Sequence, residues 1–434
     1  MNSENLGKLM SSKKNIKKMK KGILILLFFI QQPAYSQARF TLDSIFSNIA
    51  YNNPQLKVFD AQIRSLDAAA MGARSWEAPQ LSTGFWMTPY NPNLWKRQSD
   101  GSTGMGQYMI SVEQMFPNTK RQDAEEKYLL AMSSVEKENK NANLNDLRAA
   151  AKQYYFEWVI IKKKLAILDQ NQNLLDFMIK NAELRYQNNL GKVGAYYKAK
   201  ASLGNLENSR LQFENEIAQK RIMLNTLMNR DKTTWFDIDT LFELKNYDGF
   251  VFDSISLTNN RSDIRAIDKN IQLTDLQKDF ERSKLKPEFG IRYDHMFGFG
   301  GFPLQYSLMG VVKLPMVKWA ARSSKANVES LNWKTEALNQ QREMIINTAT
   351  GMAYSMKTEI ISKQKQIKVF ENNIIPALMR NFQTLLLAYE QNTEELFTLY
   401  DAWETLNLTQ LEYLDEVKQL LLMQVELERI REVK

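Results

Sequence analysis

The feature that most constrains the fold of this chain is a stretch of 113 residues without proline, 118–230. Apolar residues recur through its first half at steps of three and four, which is the spacing of an amphipathic helix close to a heptad seam. They are Ile161, Leu165, Leu168, Leu175, Ile179, Ala182 and Tyr186. The pattern breaks near 186–191 and then resumes, so we predict two antiparallel helices joined by a turn. At about 1.5 Å per residue the first helix would reach roughly 100 Å, far longer than the helices of a compact domain.

The N-terminal residues predict secretion. Seven lysines lie within residues 8–21, an unbroken apolar run of eight residues follows at 23–30, and Ala34-Tyr35-Ser36 offers small side chains for cleavage after Ser36. This is the pattern of a secretory signal peptide over residues 1–36, and its apolar run is too short to span a bilayer as a helix. The alternative is a disordered basic tail on a cytosolic protein.

Composition removes several classes of function. The chain has 57 Lys and Arg against 49 Asp and Glu, but residues 1–36 contribute seven Lys and one Glu, so 50 basic and 48 acidic residues remain, a net charge of +2. That balance gives no reason to expect a nucleic-acid partner. The chain has no cysteine and one histidine, His295, so disulfides, thiolate or histidine metal sites and Ser-His-Asp triads are not expected. We therefore expect no enzyme, no cofactor, and neither catalytic nor metal-binding residues.

Short segments in each half of the chain change from helical spacing to a period of two. The predicted strands are 79–90, 105–116, 287–296 and 304–314. Each has one apolar and one polar face, and aromatic residues lie near their ends. These aromatic residues are Trp76, Trp86, Tyr90, Trp95 and Trp319. The combination is typical of the strands of an outer-membrane β-barrel.

Four strands cannot close such a barrel, and an open sheet edge in lipid leaves backbone groups without hydrogen bonds. The smallest known barrels have about eight strands. Three copies of this chain would supply twelve strands, an even number that can close, and their long hairpins would continue the barrel as a hollow helical tube. The alternative is two ordinary hairpins on a soluble helical protein, and the signal peptide and the long helices favour the membrane.

The chain after the signal peptide is predicted to be an internal duplication. The first repeat, 37–260, contains a helix at 41–75, strands 79–90 and 105–116, the hairpin 118–230 and a non-helical segment 231–260. The second repeat, 261–434, contains a helix at 261–284, strands 287–296 and 304–314, and a hairpin at 318–431. Both hairpin turns carry the same residues at one offset of 203. The matched pairs are Tyr186 with Tyr389, Asn189 with Asn392, and Ala199 with Ala402.

Local signals predict how the long helices begin and bend. Thr119, with Gln122 three residues later, predicts a capping box at the start of the first long helix. The second long helical region contains Pro376, which should kink the helix or mark an offset in it.

The sequence resembles TolC-type outer-membrane efflux proteins. The resemblance covers about Phe40 to Glu428, and the order and spacing of loose motifs carry it. These motifs are the proline-framed strands, Phe116-Pro117, Lys120-Arg121, the Tyr-x-x-Asn turns, Asp401-Ala402, and Leu224-Asn225 with Leu227. The resemblance implies a mainly α protomer with a small transmembrane β part. It also implies a homotrimer with a 12-stranded barrel in the outer membrane, a periplasmic α-helical barrel, and an equatorial belt formed by 231–260.

The resemblance implies a function and partners as well. The chain would be the outer-membrane channel of a tripartite efflux system, a passive duct for drugs or metal ions with a long periplasmic extension. Its partners would be outer-membrane lipid, a periplasmic adaptor, and an inner-membrane transporter of the resistance-nodulation or ABC type. The alternatives are the duct of a type I protein secretion system and a periplasmic coiled-coil scaffold without a pore.

The resemblance places adaptor docking at the two hairpin turns. The docking residues would be Tyr186, Asn189, Leu190, Gly191, Tyr389 and Asn392. The family usually has Gly where this chain has Asn189 and Asn392. Such a turn requires a positive φ, and Asn is the residue other than Gly that best tolerates it. The alternative for the two tyrosines is packing between helices.

The resemblance also places a pore constriction at Asp401, where the family has an acidic residue, and at Thr398, where its companion acidic residue is missing. Three copies of Asp401 in a ring would favour cations. The alternative for Asp401 is a solvated carboxylate on a helix surface.

Overall fold

A computed structural model describes residues 39–188, 193–247, 249 and 254–432 of the chain. They divide into two compact units, a small one made of 39–41 with 235–239, and a large one made of the rest. In the small unit, the short strand Arg39–Phe40 pairs in parallel with the strand Asp237–Ile238, and the rings of Phe40 and Phe236 pack edge to face at 5.2 Å.

The large unit is mainly helical with one four-stranded sheet. The helices are α1 (Leu42–Asn52), α2 (Pro54–Met71), α3 (Thr119–Gln187), α4 (Val193–Leu227), α5 (Ser254–Asn260), α6 (Ser262–Ser283), α7 (Lys318–Val369), α8 (Ile375–Glu390) and α9 (Leu396–Arg431). The strands among the described residues are β1 (Arg39–Phe40), β2 (Gln80–Trp86), β3 (Gln107–Phe116), β4 (Asp237–Ile238), β5 (Glu288–Gly298) and β6 (Gln305–Lys313). The four predicted strands are therefore present, with small shifts at their ends.

The sheet is antiparallel in the order β2-β3-β5-β6. The two hairpins join through β3 and β5, which pair from Gln107 opposite Gly298 to Phe116 opposite Phe289. Because side chains alternate along a strand, this register gathers most of the apolar residues of the four strands on one face. Those that are exposed are Leu81, Phe85, Ile110, Val112, Phe116, Phe289, Ile291, Tyr293, Phe297, Tyr306, Leu308 and Val312. The sheet thus presents a wide apolar face that the described chain leaves uncovered.

The long helices form two antiparallel pairs. In the first, Arg210 of α4 bonds to Asp169 of α3 at 2.7 Å and Lys220 bonds to Glu157 at 2.5 Å, so the two sequences run in opposite directions. In the second, α9 packs against α7 and α8. Apolar side chains of both pairs pack into shared clusters, and the cluster near the turns contains Leu168, Leu175, Met178, Leu399, Tyr400 and Trp403. The predicted amphipathic stripe of α3 is therefore its packing face.

The predicted irregularity at Pro376 is confirmed as an offset. A five-residue π-helical turn, Phe370–Ile374, separates α7 from α8, and α8 begins with Pro376 in its first turn. The wider turn removes the clash between a proline ring and the carbonyl one turn before it. Tyr413 of α9 donates to the Glu371 carboxylate at 2.7 Å, which ties this turn to the neighbouring helix.

The helix predicted at 41–75 is interrupted at the expected place. Asn53 separates α1 from α2, and its side chain accepts a hydrogen bond from the Gln55 amide at 2.9 Å as an N-cap. Pro54 then occupies the first position of α2, where a missing N–H costs nothing. The Asn53 amide nitrogen also donates to the Leu227 carbonyl at 2.8 Å, which anchors the end of α4.

Two local predictions are wrong. The N-cap of α3 is Asn118, not Thr119, because the Asn118 side chain accepts from the Lys120 amide at 3.0 Å and Thr119 is already helical. Asn is at least as good an N-cap as Thr, and Asn118 gains a second bond by donating to the Pro287 carbonyl at 3.2 Å. The segment 231–260 is not wholly irregular either, since its last seven residues form α5.

Replacing Asn118 should therefore destabilise the protein more than replacing Thr119. Asn118→Ala removes the cap of α3 and the bond to strand β5, and we expect it to lower the free energy of unfolding by about 1 to 2 kcal/mol. Thr119→Ala is the matched control and should change it by less than about 0.5 kcal/mol. Denaturant unfolding of the detergent-solubilised protein measures both. If Thr119→Ala lowered the free energy of unfolding more than Asn118→Ala does, the result would support the predicted capping box at Thr119.

Candidate functional site

The second hairpin turn closes α8 with a hydrogen-bonded cap. The Asn392 amide donates to the Tyr389 carbonyl at 3.1 Å, and the Thr393 amide donates to the Ala388 carbonyl at 2.9 Å. These are the two bonds of a Schellman cap, in which the residue after the helix is left-handed and usually Gly. Asn392 has a φ of 60°, so the prediction that this Asn adopts a positive φ is confirmed.

The first hairpin turn is described only up to its edges. α3 ends at Gln187, and Asn188 follows it with its amide bonded to the end of the helix. The predicted docking residues Asn189, Leu190 and Gly191 lie outside the described residues. Tyr186 lies on the last turn of α3 and is 52% exposed. It is available to another chain on the surface beside the turn.

An arginine that the sequence reading missed joins the two turns. The Arg185 guanidinium lies 4.3 Å from the centre of the Tyr389 ring. It also donates to the Tyr389 carbonyl at 3.4 Å and to the Asn392 side-chain oxygen. A cation over an aromatic face and a charge-assisted hydrogen bond stabilise the same contact. The end of α3 therefore holds the turn of the second hairpin.

The two predicted tyrosines occupy different environments. Tyr389 is 3% exposed beneath Arg185, whereas Tyr186 is 52% exposed. Burial raises the pKa of the Tyr389 hydroxyl, and the Arg185 guanidinium only partly opposes that rise. Packing between helices, the alternative stated for both residues, describes Tyr389 within the protomer. The two tyrosines occupy equivalent positions in the two hairpins, yet one is buried and the other is exposed.

Both predicted constriction residues lie on one exposed stripe of α9. Thr398 and Asp401 are one turn apart and exposed, while the neighbouring Leu399, Tyr400 and Ala402 are buried. The Asp401 carboxylate makes no ion pair with any residue that the structure describes. An exposed, uncompensated carboxylate can act on ions in solution, so the geometry permits the predicted role.

Buried polar contacts fix which face of α9 is exposed. The Trp403 indole N–H donates to the Asn171 side-chain oxygen at 2.7 Å, and the Asn171 side-chain nitrogen donates to the Asn407 side-chain oxygen at 2.7 Å. A buried polar group without a hydrogen-bond partner destabilises the fold, so each of these side chains requires the other. The contacts therefore set the rotation of α9 against α3 and direct Asp401 away from the packed interface.

A second set of contacts holds α9 against α4. Tyr400 shares a hydrogen bond with Ser202 and donates to Glu404 at 3.2 Å. Lys198 lies over the Tyr400 ring at 4.2 Å and over the Phe397 ring at 4.2 Å. Burial raises the pKa of Tyr400, so its hydroxyl remains a hydrogen-bond donor at neutral pH.

The polar face of the sheet carries paired charges. Asp294 is 1% exposed and accepts from Ser111 and from Arg292, whose Nε lies 2.9 Å from its carboxylate. Glu288 lies nearer the helices and accepts from Arg121 at 2.5 Å and from Lys313 at 3.0 Å. This charged face differs from the uncovered apolar face. The first suits a polar environment and the second suits an apolar one.

Comparison with solved structures identifies the fold. The outer-membrane channel OprN matches with a TM-score of 0.69 and 15% sequence identity, over 91% of this chain and 93% of that chain. CusC, described as forming a transmembrane channel, matches with a TM-score of 0.68 and 14% identity, over 92% and 98%. The outer-membrane protein VceC of Vibrio cholerae matches with a TM-score of 0.67 and 13% identity, over 90% and 95%.

This chain has the fold of these outer-membrane channels. The resemblance to TolC-type proteins is thereby confirmed at the level of the fold. No protein-family model and no curated protein matches the sequence. Because these sequence identities are low, the structural likeness supports the architecture. The role of each residue is argued from the geometry of the site.

Two further findings concern the described part of the chain. None of its helices combines the length and the apolar character needed to cross a membrane. Within the same residues, His, Asp and Glu side chains nowhere gather in the groups of three or more that could hold a metal ion.

Arg185 should control the order of the second turn. Arg185→Gln removes the cation over Tyr389 and the charged donor to Asn392, a loss of about 1 kcal/mol and thus roughly fivefold in the opening equilibrium. Amide hydrogen exchange at 388–393 should accelerate by that factor. Lys180→Gln, an exposed lysine on the same helix, is the control. Unchanged exchange in Arg185→Gln would show that the cap of α8 holds the turn alone.

Proposed function

We propose that this protein is the outer-membrane channel of a tripartite efflux system. Three copies would form a passive duct that exports small molecules received from an inner-membrane pump through a periplasmic adaptor. The likeness in fold to outer-membrane channels supports this role. The duct would perform no chemical reaction and would need no cofactor.

One observation carries the proposal. The four-stranded sheet has a wide apolar face that the described chain leaves exposed, and its edge strands β2 and β6 each pair on one side only. A sheet in lipid must satisfy every backbone hydrogen bond, which requires closure. Three protomers bring twelve strands, and each β6 would pair with the β2 of its neighbour. The apolar face would then meet lipid, and the face with Asp294 and Glu288 would line water.

The helical part extends this passage. α3 is 69 residues long, which corresponds to roughly 100 Å. The helices lead from the ends of the strands to the two turns, so the turns would lie at the far end of a periplasmic tube. We propose that this end receives the adaptor. Tyr186 and the Asn392 turn are the described members of that docking surface, and Asn189, Leu190 and Gly191 would complete it.

A pore is the property that separates this proposal from a periplasmic scaffold. The purified protein should form trimers in detergent and give discrete conductance steps in a planar lipid bilayer, because a closed barrel encloses an aqueous path. A control at equal concentration is the heat-denatured protein, which should give none. A protein that stays monomeric and soluble without detergent, and never conducts, would exclude both an efflux and a protein-secretion duct.

Asp401 should set the ion preference of the open pore. Asp401→Ala would remove a ring of three carboxylates, so the reversal potential in a salt gradient should move towards that of an unselective pore. Asp176→Ala is the matched control, since Asp176 is an exposed carboxylate on the first hairpin. An unchanged reversal potential in Asp401→Ala would identify Asp401 as a surface residue without a role in permeation.

A further inference from the structure

Aromatic and basic side chains gather where the sheet meets the long helices. We call this edge the basal rim. It comprises Trp76, Phe116, Lys120, Lys286, Lys318, Trp319 and Arg322. Trp76 and Trp319 are 63% and 84% exposed, so large aromatic surfaces face outward at the end of the apolar sheet face.

Contacts among the strand ends show that the basal rim is one continuous edge. The Trp76 and Phe116 rings meet edge to face at 5.8 Å. Asn118 donates to the Pro287 carbonyl at 3.2 Å, which joins the start of α3 to the start of β5. Lys313 bonds to Glu288 at 3.0 Å, which joins the end of β6 to the same place. Lys120, Lys286 and Lys318 lie one to five residues along the chain from these joined positions.

The cations of the basal rim exceed the acids available to them. Lys120, Lys286, Lys318 and Arg322 are exposed and make no ion pair with any residue described by the structure. The neighbouring acids already have partners. Glu288 is paired with Arg121 and Lys313, Asp123 and Glu126 with Arg74, Glu281 with Lys284, and Asp279 with Arg282. Glu77 and Glu125 are the acids nearby without such a pair in the described residues, so the edge keeps an excess of positive charge.

Helix stability gives no reason for three of these cations. Lys120, Lys318 and Arg322 lie within the first five residues of α3 or α7, and neither helix has an acidic residue in its first turn. The helix dipole disfavours positive charge at this end of a helix. Their presence is therefore better explained by a negative partner outside the protomer than by the stability of the helices.

We propose that the basal rim binds the phosphate headgroups of anionic phospholipids in the membrane leaflet that faces the helices. The inference rests on the proposed function, because that function places the sheet in a bilayer. Tryptophan prefers the level of the headgroups, and Lys and Arg beside it attract anionic lipids. The opposite end of the sheet carries Lys96 and Arg97 in a loop that also contains Asp100, so the charge is concentrated at the helical end.

Vesicles of defined composition test the proposal. The purified protein is reconstituted into phosphatidylcholine alone and into equal parts of phosphatidylcholine and phosphatidylglycerol, and the protein-bound lipid is identified by native mass spectrometry after mild extraction. The wild-type protein should retain phosphatidylglycerol preferentially. The variant K120Q/K318Q/R322Q should lose at least about tenfold of that preference, since each cation near a membrane surface contributes about fivefold.

Two controls keep the result interpretable. The variant K180Q/K365Q/K368Q removes three exposed lysines from the long helices and should keep the preference. Removing cations from helix starts does not destabilise those helices, so the rim variant should remain folded and inserted. Equal retention of phosphatidylglycerol in wild type and rim variant, or equal loss in the control, would overturn the proposal. Failure to insert into phosphatidylcholine alone would instead contradict the membrane role, independently of the rim.

Discussion

The hydrogen-bond requirement of the sheet edges is the constraint on which the structure depends. β2 and β6 offer backbone N–H and C=O groups on one side without a partner in the described chain. Water can satisfy such groups, but the adjoining face is apolar from Leu81 to Val312 and disfavours water. Lipid suits the face and cannot satisfy the edges. Closure with other copies, as proposed, would meet both demands.

The opposite face of the sheet differs from the apolar one because it carries paired charges. Asp294 and Glu288 are nearly buried, and a buried carboxylate is tolerated where cations and donors surround it. Arg292 and Ser111 supply these for Asp294, and Arg121 and Lys313 supply them for Glu288. The second set links β5 and β6 to the start of α3. A polar network of this kind orients the first turn of the long helix relative to the sheet.

The parts of the fold that could be predicted are those that the local periodicity of apolar residues indicates. A period of two located the strands, steps of three and four located the long helices, and Pro376 located the offset between α7 and α8. The errors have two causes. Asn118 caps α3 through a local bond from the Lys120 amide, and Asn is a preferred N-cap, so the sequence held this signal beside that of Thr119. The bond from Asn118 to the Pro287 carbonyl and the contacts of Arg185, whose partner Tyr389 is 204 residues away, join distant residues that local patterns do not contain.

The predicted duplication would explain the likeness of the two hairpins, and the structure shows where that likeness ends. An equal offset gives both turns a tyrosine and an asparagine, yet Tyr186 is exposed and Tyr389 is covered by Arg185. The residue of the second repeat that corresponds to Arg185 is Ala388, which cannot cover Tyr186 in return. The first hairpin therefore supplies the Arg185 cation, and the second supplies the turn with Tyr389 that this cation covers. The sequence difference at this single pair accompanies a structural one: Tyr186 stays exposed, whereas Tyr389 is covered and its turn is held by Arg185.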